Sequence, residues 1–364
     1  MSFIKRLGAL GWFLLAAAWF LSSDLVAMRA ASGLTFGDFY EPLYRIFLLF
    51  LLILGYSLMS RLARRSGPRS QSLGLERRPG WLREWALGAA LGWAGVVACV
   101  LPAALIGSLV VTVFGNSHQL WVALYDLIAL AAGTLAIEVA FRGFALQRLV
   151  DAMGPATATL FMASIFAIWR THAGPTTTAA VVVSFLLGWV LALAALRTRA
   201  LWVSWGFHFA WVTVMGMLFG LPVAGGLSYS PVFVTNASGP GWITGNLQGP
   251  EGSAFGVIVG FLLLIAMVRA TGELHHKYGH PEIVAGGIPI DIDAAARRQH
   301  EEAMAHAEPP PPPLVQILPV TSYAPPVRNA DTPAEPASAA GEETRAPEET
   351  SAPPADGPPA SEPS

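Results

Sequence analysis

Charge is scarce in this sequence, and cysteine and lysine are scarcer. Only 13% of the 364 residues are Asp, Glu, Lys or Arg, about half of what a soluble domain carries. Hydrophobic residues make up 54%, and mean hydropathy is +0.51. A soluble globular domain is excluded, and the composition is that of a polytopic membrane protein. The single cysteine, Cys99, excludes an intrachain disulfide and any CxxC metal site. No basic patch interleaves with aromatics, so nucleic acid is not an expected partner and membrane lipids are. A net charge of −2 excludes nothing, because the charges are segregated along the chain. Two lysines stand against 20 arginines, the usage of a GC-rich bacterial genome, which is a matter of codons rather than physics.

What is present is a succession of apolar runs near the length of about 20 residues that crosses a bilayer. They predict an all-α, polytopic helix bundle of about eight transmembrane helices, near 7–28, 43–60, 85–114, 120–147, 155–170, 176–196, 200–221 and 252–270. Pro102 is expected to kink the long third helix. Lys5 and Arg6 before an apolar run resemble a signal peptide, but the run is long enough to span, and an uncleaved first helix is expected. Three regions follow: two N-terminal helices with a basic connection over 1–84, a membrane core over 85–270, and a tail over 271–364. The tail holds five consecutive prolines, Pro309 to Pro313, and its Pro, Ala, Glu, Ser and Thr cannot bury enough apolar surface to order it. A short helix is expected within 291–307.

Orientation follows from the basic residues. Lys5, Arg6, the arginines of the second connection, Arg148, Arg197, Arg199, Arg269 and Lys277 all fall on one side of an eight-span protein. Both termini are then expected in the cytoplasm and the protein in the cell's inner membrane. The longest outer loop, about 222–251, carries a single charge, Glu251.

Against this background Glu138 stands out, because the only other charge back to Trp85 is Asp126. A charge near the bilayer centre costs on the order of 3 kcal/mol and is a functional hypothesis by default. Arg142, four residues on, shares its helix face. At a rise of 1.5 Å per residue, Glu138 lies roughly 15 Å from Arg148, His208 roughly 13 Å from Arg199, and Arg170 roughly 22 Å along its helix from Pro155. Convergence on one intramembrane site is the economical solution. Each residue also has a plainer reading. Glu138 with Arg142 can be a structural ion pair, His208 a packing residue among Trp202, Trp205, Phe209 and Trp211, and Arg170 and His172 can snorkel before Gly174-Pro175.

Taken in order, three segments resemble the CPBP intramembrane proteases, also called the CAAX prenyl protease 2 or Abi family, which includes lysostaphin resistance protein A-like members. Glu138-Val-Ala-Phe-Arg142-Gly143, continuing to Gln147-Arg148-Leu149, resembles the first motif, EExxxR. Ser164 to Trp169 resembles the start of the second, FxxxH. Leu196 to Trp211, with His208, resembles the third, HxxxN. The resemblance covers roughly 85–270. It implies a multi-pass protease cutting membrane-protein or peptide substrates in or near the membrane. Eukaryotic members remove the last three residues of prenylated proteins, and bacterial relatives are linked to bacteriocin immunity and membrane-protein processing. It also implies a water activated by the first Glu and the second-motif His, directly or through a divalent metal such as zinc, and an oxyanion held by the third motif.

The chain departs from that pattern at three positions. Ile137 stands where the resemblance expects the first Glu, Arg170 where it expects His, and Val212 where it expects Asn. Isoleucine accepts no proton, arginine stays charged and valine donates nothing. The remaining candidates for catalysis are Glu138, His208 and His172. The same three make a conceivable metal set, although His172 lies about 200° around a continuous helix from Arg170. Arg142 and Arg170 are expected to line the site or to neutralise Glu138. Hydrolysis weakened or lost is the expectation, and a pseudoprotease that binds membrane segments is the alternative from the binding class.

Overall fold

The computed structural model describes residues 3–34, 39–64, 73–113, 117–172, 176–223, 233–279, 297 and 299–304. Two long helices, α1 (Phe3–Leu34) and α2 (Tyr40–Arg64), form a hairpin, and α3 (Trp81–Leu105) leads into a short strand β1 (Leu109–Val113). Next come α4 (Ser117–Arg142), α5 (Phe144–Met153), α6 (Pro155–Thr171), α7 (Thr178–Thr198) and α8 (Trp202–Val212), which runs on as a π-turn over Thr213–Leu218. Strand β2 (Phe233–Ala237), the short α9 (Gly241–Thr244), a 3-10 turn over Asn246–Gly252, α10 (Ala254–Ala270) and α11 (Gly272–Gly279) complete the first of two units, residues 1–285. In the second unit the described residues are helical and exposed, within the segment expected to hold a short helix. The polyproline run and the rest of the tail lie outside the described residues.

The protein is an all-α, multi-pass helix bundle. Six apolar stretches among the described residues are long enough to cross a bilayer: Phe3–Leu34, Tyr40–Ala63, Trp81–Leu105, Trp121–Met153, Thr178–Thr198 and Asn246–Ala270. All eight predicted segments contain a helix, but α6 has 17 residues and α8 only 11, so length alone supports six crossings. The long helices are inverted relative to soluble ones. In α1 the buried positions include Ala9, Ala16, Ala27 and Ala31, while Leu14, Leu15, Leu21 and Leu25 are exposed. Lipid solvates the large side chains, and the small ones let helices approach.

Close approach is most evident where α3 crosses α8. A Cβ on Gly88 would lie 2.0 Å from Val203 O, one on Gly92 would lie 2.4 Å from Phe207 O, and one on Gly206 would lie 2.1 Å from Trp85 O. Only glycine lets the two backbones touch there, and the contact fixes the helix that carries His208. Capping holds the neighbouring ends. Thr177 accepts the Ala180 N–H at 3.2 Å, Ser253 accepts that of Gly256 at 3.0 Å, and Pro155 opens α6 at its first turn.

Three boundaries differ from the sequence expectation. The predicted third helix, 85–114, stops at Leu105. Gly107 adopts a left-handed φ of 80°, after which Val110, Val111, Thr112 and Val113 pair antiparallel with β2, from Leu109↔Ala237 to Val113↔Phe233. That β-branched run favours a strand, and Pro102 sits too near the helix end to act as a mid-helix kink. The predicted outer loop of 222–251 accordingly holds β2, α9 and the 3-10 turn. The predicted fourth helix, 120–147, breaks at Gly143 (φ −73°, ψ −121°), so Arg148 lies inside α5 rather than after helix four.

Candidate functional site

The end of α4 brings Glu138 and Arg142 together as their spacing requires. Arg142 Nη1 donates to Glu138 Oε1 at 3.3 Å, and neither side chain is exposed. The rest of the guanidinium is held from α6 and α7. Nη2 donates to Gly188 O at 3.4 Å, and the group lies over the Phe166 ring, 4.2 Å from its centroid. That aromatic face offsets part of the cost of burying the cation.

From α8, His208 completes the cluster, its Nδ1 2.8 Å from Glu138 Oε1. With the carboxylate ionised, Nδ1 carries the proton and donates it, which leaves Nε2 with its lone pair. Ser204, one turn earlier on α8, stands beside the carboxylate while its hydroxyl donates to Leu201 O at 3.1 Å. Burial of an unpaired carboxylate would be prohibitive, and here a guanidinium and an imidazole share one of its oxygens.

Arg170 does not join this cluster. Its Nη2 donates to Glu251 Oε1 at 2.6 Å, and the same oxygen accepts the Trp211 indole N–H at 2.6 Å. Arg170 and Glu251 side chains are 6% and 1% exposed. The expected pairing of Arg170 with Glu138 is therefore corrected: its partner comes from the 3-10 turn before α10, 81 residues away in sequence. Glu251 is the member of this arrangement that the sequence analysis does not name as a site residue. Its signal was present as the lone acid of the outer segment, in Gly249-Pro250-Glu251-Gly252. Nothing local to it could name its partner.

His172 is also placed apart. It is exposed, and its Nδ1 lies 2.5 Å from Trp169 O. Because a carbonyl only accepts, that nitrogen carries the proton. Among the described residues no group of three His, Cys, Asp or Glu side chains could hold a metal ion, so the expected set Glu138, His172 and His208 is not assembled. Glu138 Oε1 is already shared by Arg142 and His208. A divalent ion with two donors and a guanidinium beside them is a poor fit to the three or four ligands that zinc requires.

The two clusters meet at a cavity of about 380 Å³. Its wall includes Thr134, Ile137, Arg170, His172, His208 and Val212. The three positions that depart from the protease pattern thus face one space, and His208 faces it with them. The α1–α2 hairpin closes the far side. There Tyr44 donates to Asp24 Oδ1 at 2.5 Å and Arg45 donates to Glu41 Oε2 at 3.0 Å.

Residues 119–214 match the profile of the Rce1-like family, described as type II CAAX prenyl endopeptidase Rce1-like. Over these residues the chain is similar to that family. The match contains Glu138, Arg142, Arg170, His208 and Val212, and it ends before Glu251. No curated protein and no solved structure matches the chain. The long apolar helices make this a multi-pass membrane protein, and its segment 119–214 resembles the type II CAAX prenyl endopeptidases.

Proposed function

We propose that this protein is a pseudoprotease, in which the Rce1-like cavity binds a segment of a membrane protein or peptide and does not hydrolyse it. One observation carries the reading: Arg170, at the position of the family's second-motif histidine, is locked to Glu251, whose same oxygen is held by the Trp211 indole. A guanidinium so held neither takes a proton from water nor ligates a metal. Ile137 and Val212 remove a carboxylate and a side-chain donor from the same cavity. What remains is a chamber whose wall sets Leu130, Ile137 and Val212 beside Asp24, Glu41, Arg45, Arg170 and His208, suited to an extended segment that carries polar groups as well as apolar ones. Residence in the inner membrane with cytoplasmic termini belongs to the same proposal, supported by the one-sided arginines.

A second reading is favoured by the 2.8 Å contact between His208 and Glu138. A carboxylate that fixes an imidazole leaves Nε2 free to act as a general base toward water in the cavity. The two readings separate in one assay. Purified protein in lipid nanodiscs is given prenylated peptides ending in a CAAX sequence, beside Glu138→Ala and His208→Ala variants, and products are followed by mass spectrometry. The proposal expects no cleavage by any of the three. Turnover by the wild type that disappears in both variants would establish the dyad as a residual hydrolase.

A further inference from the structure

Beyond the C-terminal end of α4, at Arg142, lies a second cavity, of about 460 Å³, which the proposed binding role does not use. Four arginines line it: Arg142, Arg148, Arg197 and Arg199, with His275 of α11 beside them. Among the described residues the one acidic side chain in its wall is Asp151, which pairs with Arg148 at 3.2 Å. Arg142 is fully buried and Arg199 is exposed, so positive charge runs from the membrane interior to the mouth.

We propose that this cavity is a binding site for a phosphate group. The α6 N-terminus opens onto it at Pro155 and Ala156, and its N-cap, Gly154, offers no side-chain cap to the first-turn N–H groups. An uncapped N-terminus of a 17-residue helix among arginines is a setting that favours an anion. Arg197 is held in place, its Nε donating to Thr271 Oγ1 at 2.9 Å and its Nη2 to Val268 O at 3.0 Å. That commitment fixes its charge without neutralising it. Arg199 makes no ion pair among the described residues. It occupies the C-cap of α7 with φ 51°, a left-handed position where glycine is the usual residue. An arginine kept there against its backbone preference is accounted for by an anion at the mouth. Arg142 spends its fork on Glu138 and Gly188 and so contributes charge rather than contacts.

The phosphate can come from a lipid headgroup or from a soluble compound, and the test has an arm for each. Full-length protein in uncharged detergent is titrated by calorimetry with inorganic pyrophosphate, and in parallel with phosphatidylglycerol in mixed micelles against phosphatidylcholine. Arg199→Gly and Arg197→Gln are each expected to weaken binding about tenfold, the loss of one charge-assisted contact. Arg199→Gly should at the same time leave the melting temperature unchanged or raise it, which keeps its binding loss distinct from misfolding. Asp151→Asn should tighten binding. Arg77→Gln, an exposed arginine outside the cavity, should change nothing. Binding confined to phosphatidylglycerol makes the ligand a headgroup, and binding of pyrophosphate makes it a soluble phosphate. Binding of neither probe, or an equal loss with Arg77→Gln, overturns the proposal.

Discussion

Two buried charge clusters flank the cavity behind Ile137 and Val212, and they are built on different principles. Glu138, Arg142 and His208 rest on a four-residue repeat along one helix, completed by a neighbouring helix that glycines bring close. Arg170, Glu251 and Trp211 join α6, the turn before α10 and α8, with no local pattern among them. The first cluster carries what remains of a protease motif. The second occupies the place of the residue that motif has lost, so one cluster can be read as ancestry and the other as its replacement. Charge within hydrocarbon has been rearranged rather than removed.

The largest effect is expected from Glu251→Ala. Arg170 would be left buried with no counter-ion, and its Nη1 already lacks a partner among the described residues. Breaking a buried pair in this way costs about 4–5 kcal/mol. Glu138→Ala is expected to cost less, about 3–4 kcal/mol, because Arg142 keeps the Gly188 carbonyl and the Phe166 face. Unfolding of each variant in mixed detergent micelles, followed by tryptophan fluorescence, measures the order. If Glu138→Ala proves the more damaging, the second cluster is not the tighter of the two.

A smaller change should follow when both partners go at once. Replacing Arg170 by Met together with Glu251 by Leu removes two charges of similar volume from a dry site, which leaves stability within about 1 kcal/mol of the wild type. The double-mutant cycle then assigns most of the single-variant loss to the charge left alone. A double variant as unstable as Glu251→Ala would mean that the pair is not what Glu251 contributes. The Trp211 indole, which uses the same oxygen, would then be the better candidate.

The contrast between the clusters also explains what could be read from residues alone. Apolar run length placed the long helices of the bundle, because twenty hydrophobic residues in water have no other stable home, but it missed the break between α4 and α5 and the short helices α9 and α11. The i,i+4 rule paired Glu138 with Arg142, and depth along the helices put His208 beside them. Strand β1 was taken for the end of a helix because Leu109 to Val113 is as apolar as the helix before it. Only the glycine at 107, with its left-handed φ, marks the change. Glu251 was visible as an acid without a role, and Arg170 as a base without one. Linking them needed the fold, since a pair separated by 81 residues leaves no periodic signature.

His172 gives the smallest expected effect and the sharpest use of the comparison. It belongs to neither cluster: it is exposed, and its ring is turned back to the Trp169 carbonyl at the end of α6. An exposed side chain with one local hydrogen bond contributes within about 0.5 kcal/mol, so His172→Ala should unfold with the wild type. It should also leave zinc binding unchanged, as read by equilibrium dialysis with metal analysis, because its imidazole is not grouped with Glu138 and His208. Zinc bound tightly by the wild type and lost in His172→Ala would require the imidazole to leave the Trp169 carbonyl and reach across the cavity that it shares with His208. That result would restore a metal site where the present arrangement holds an ion pair.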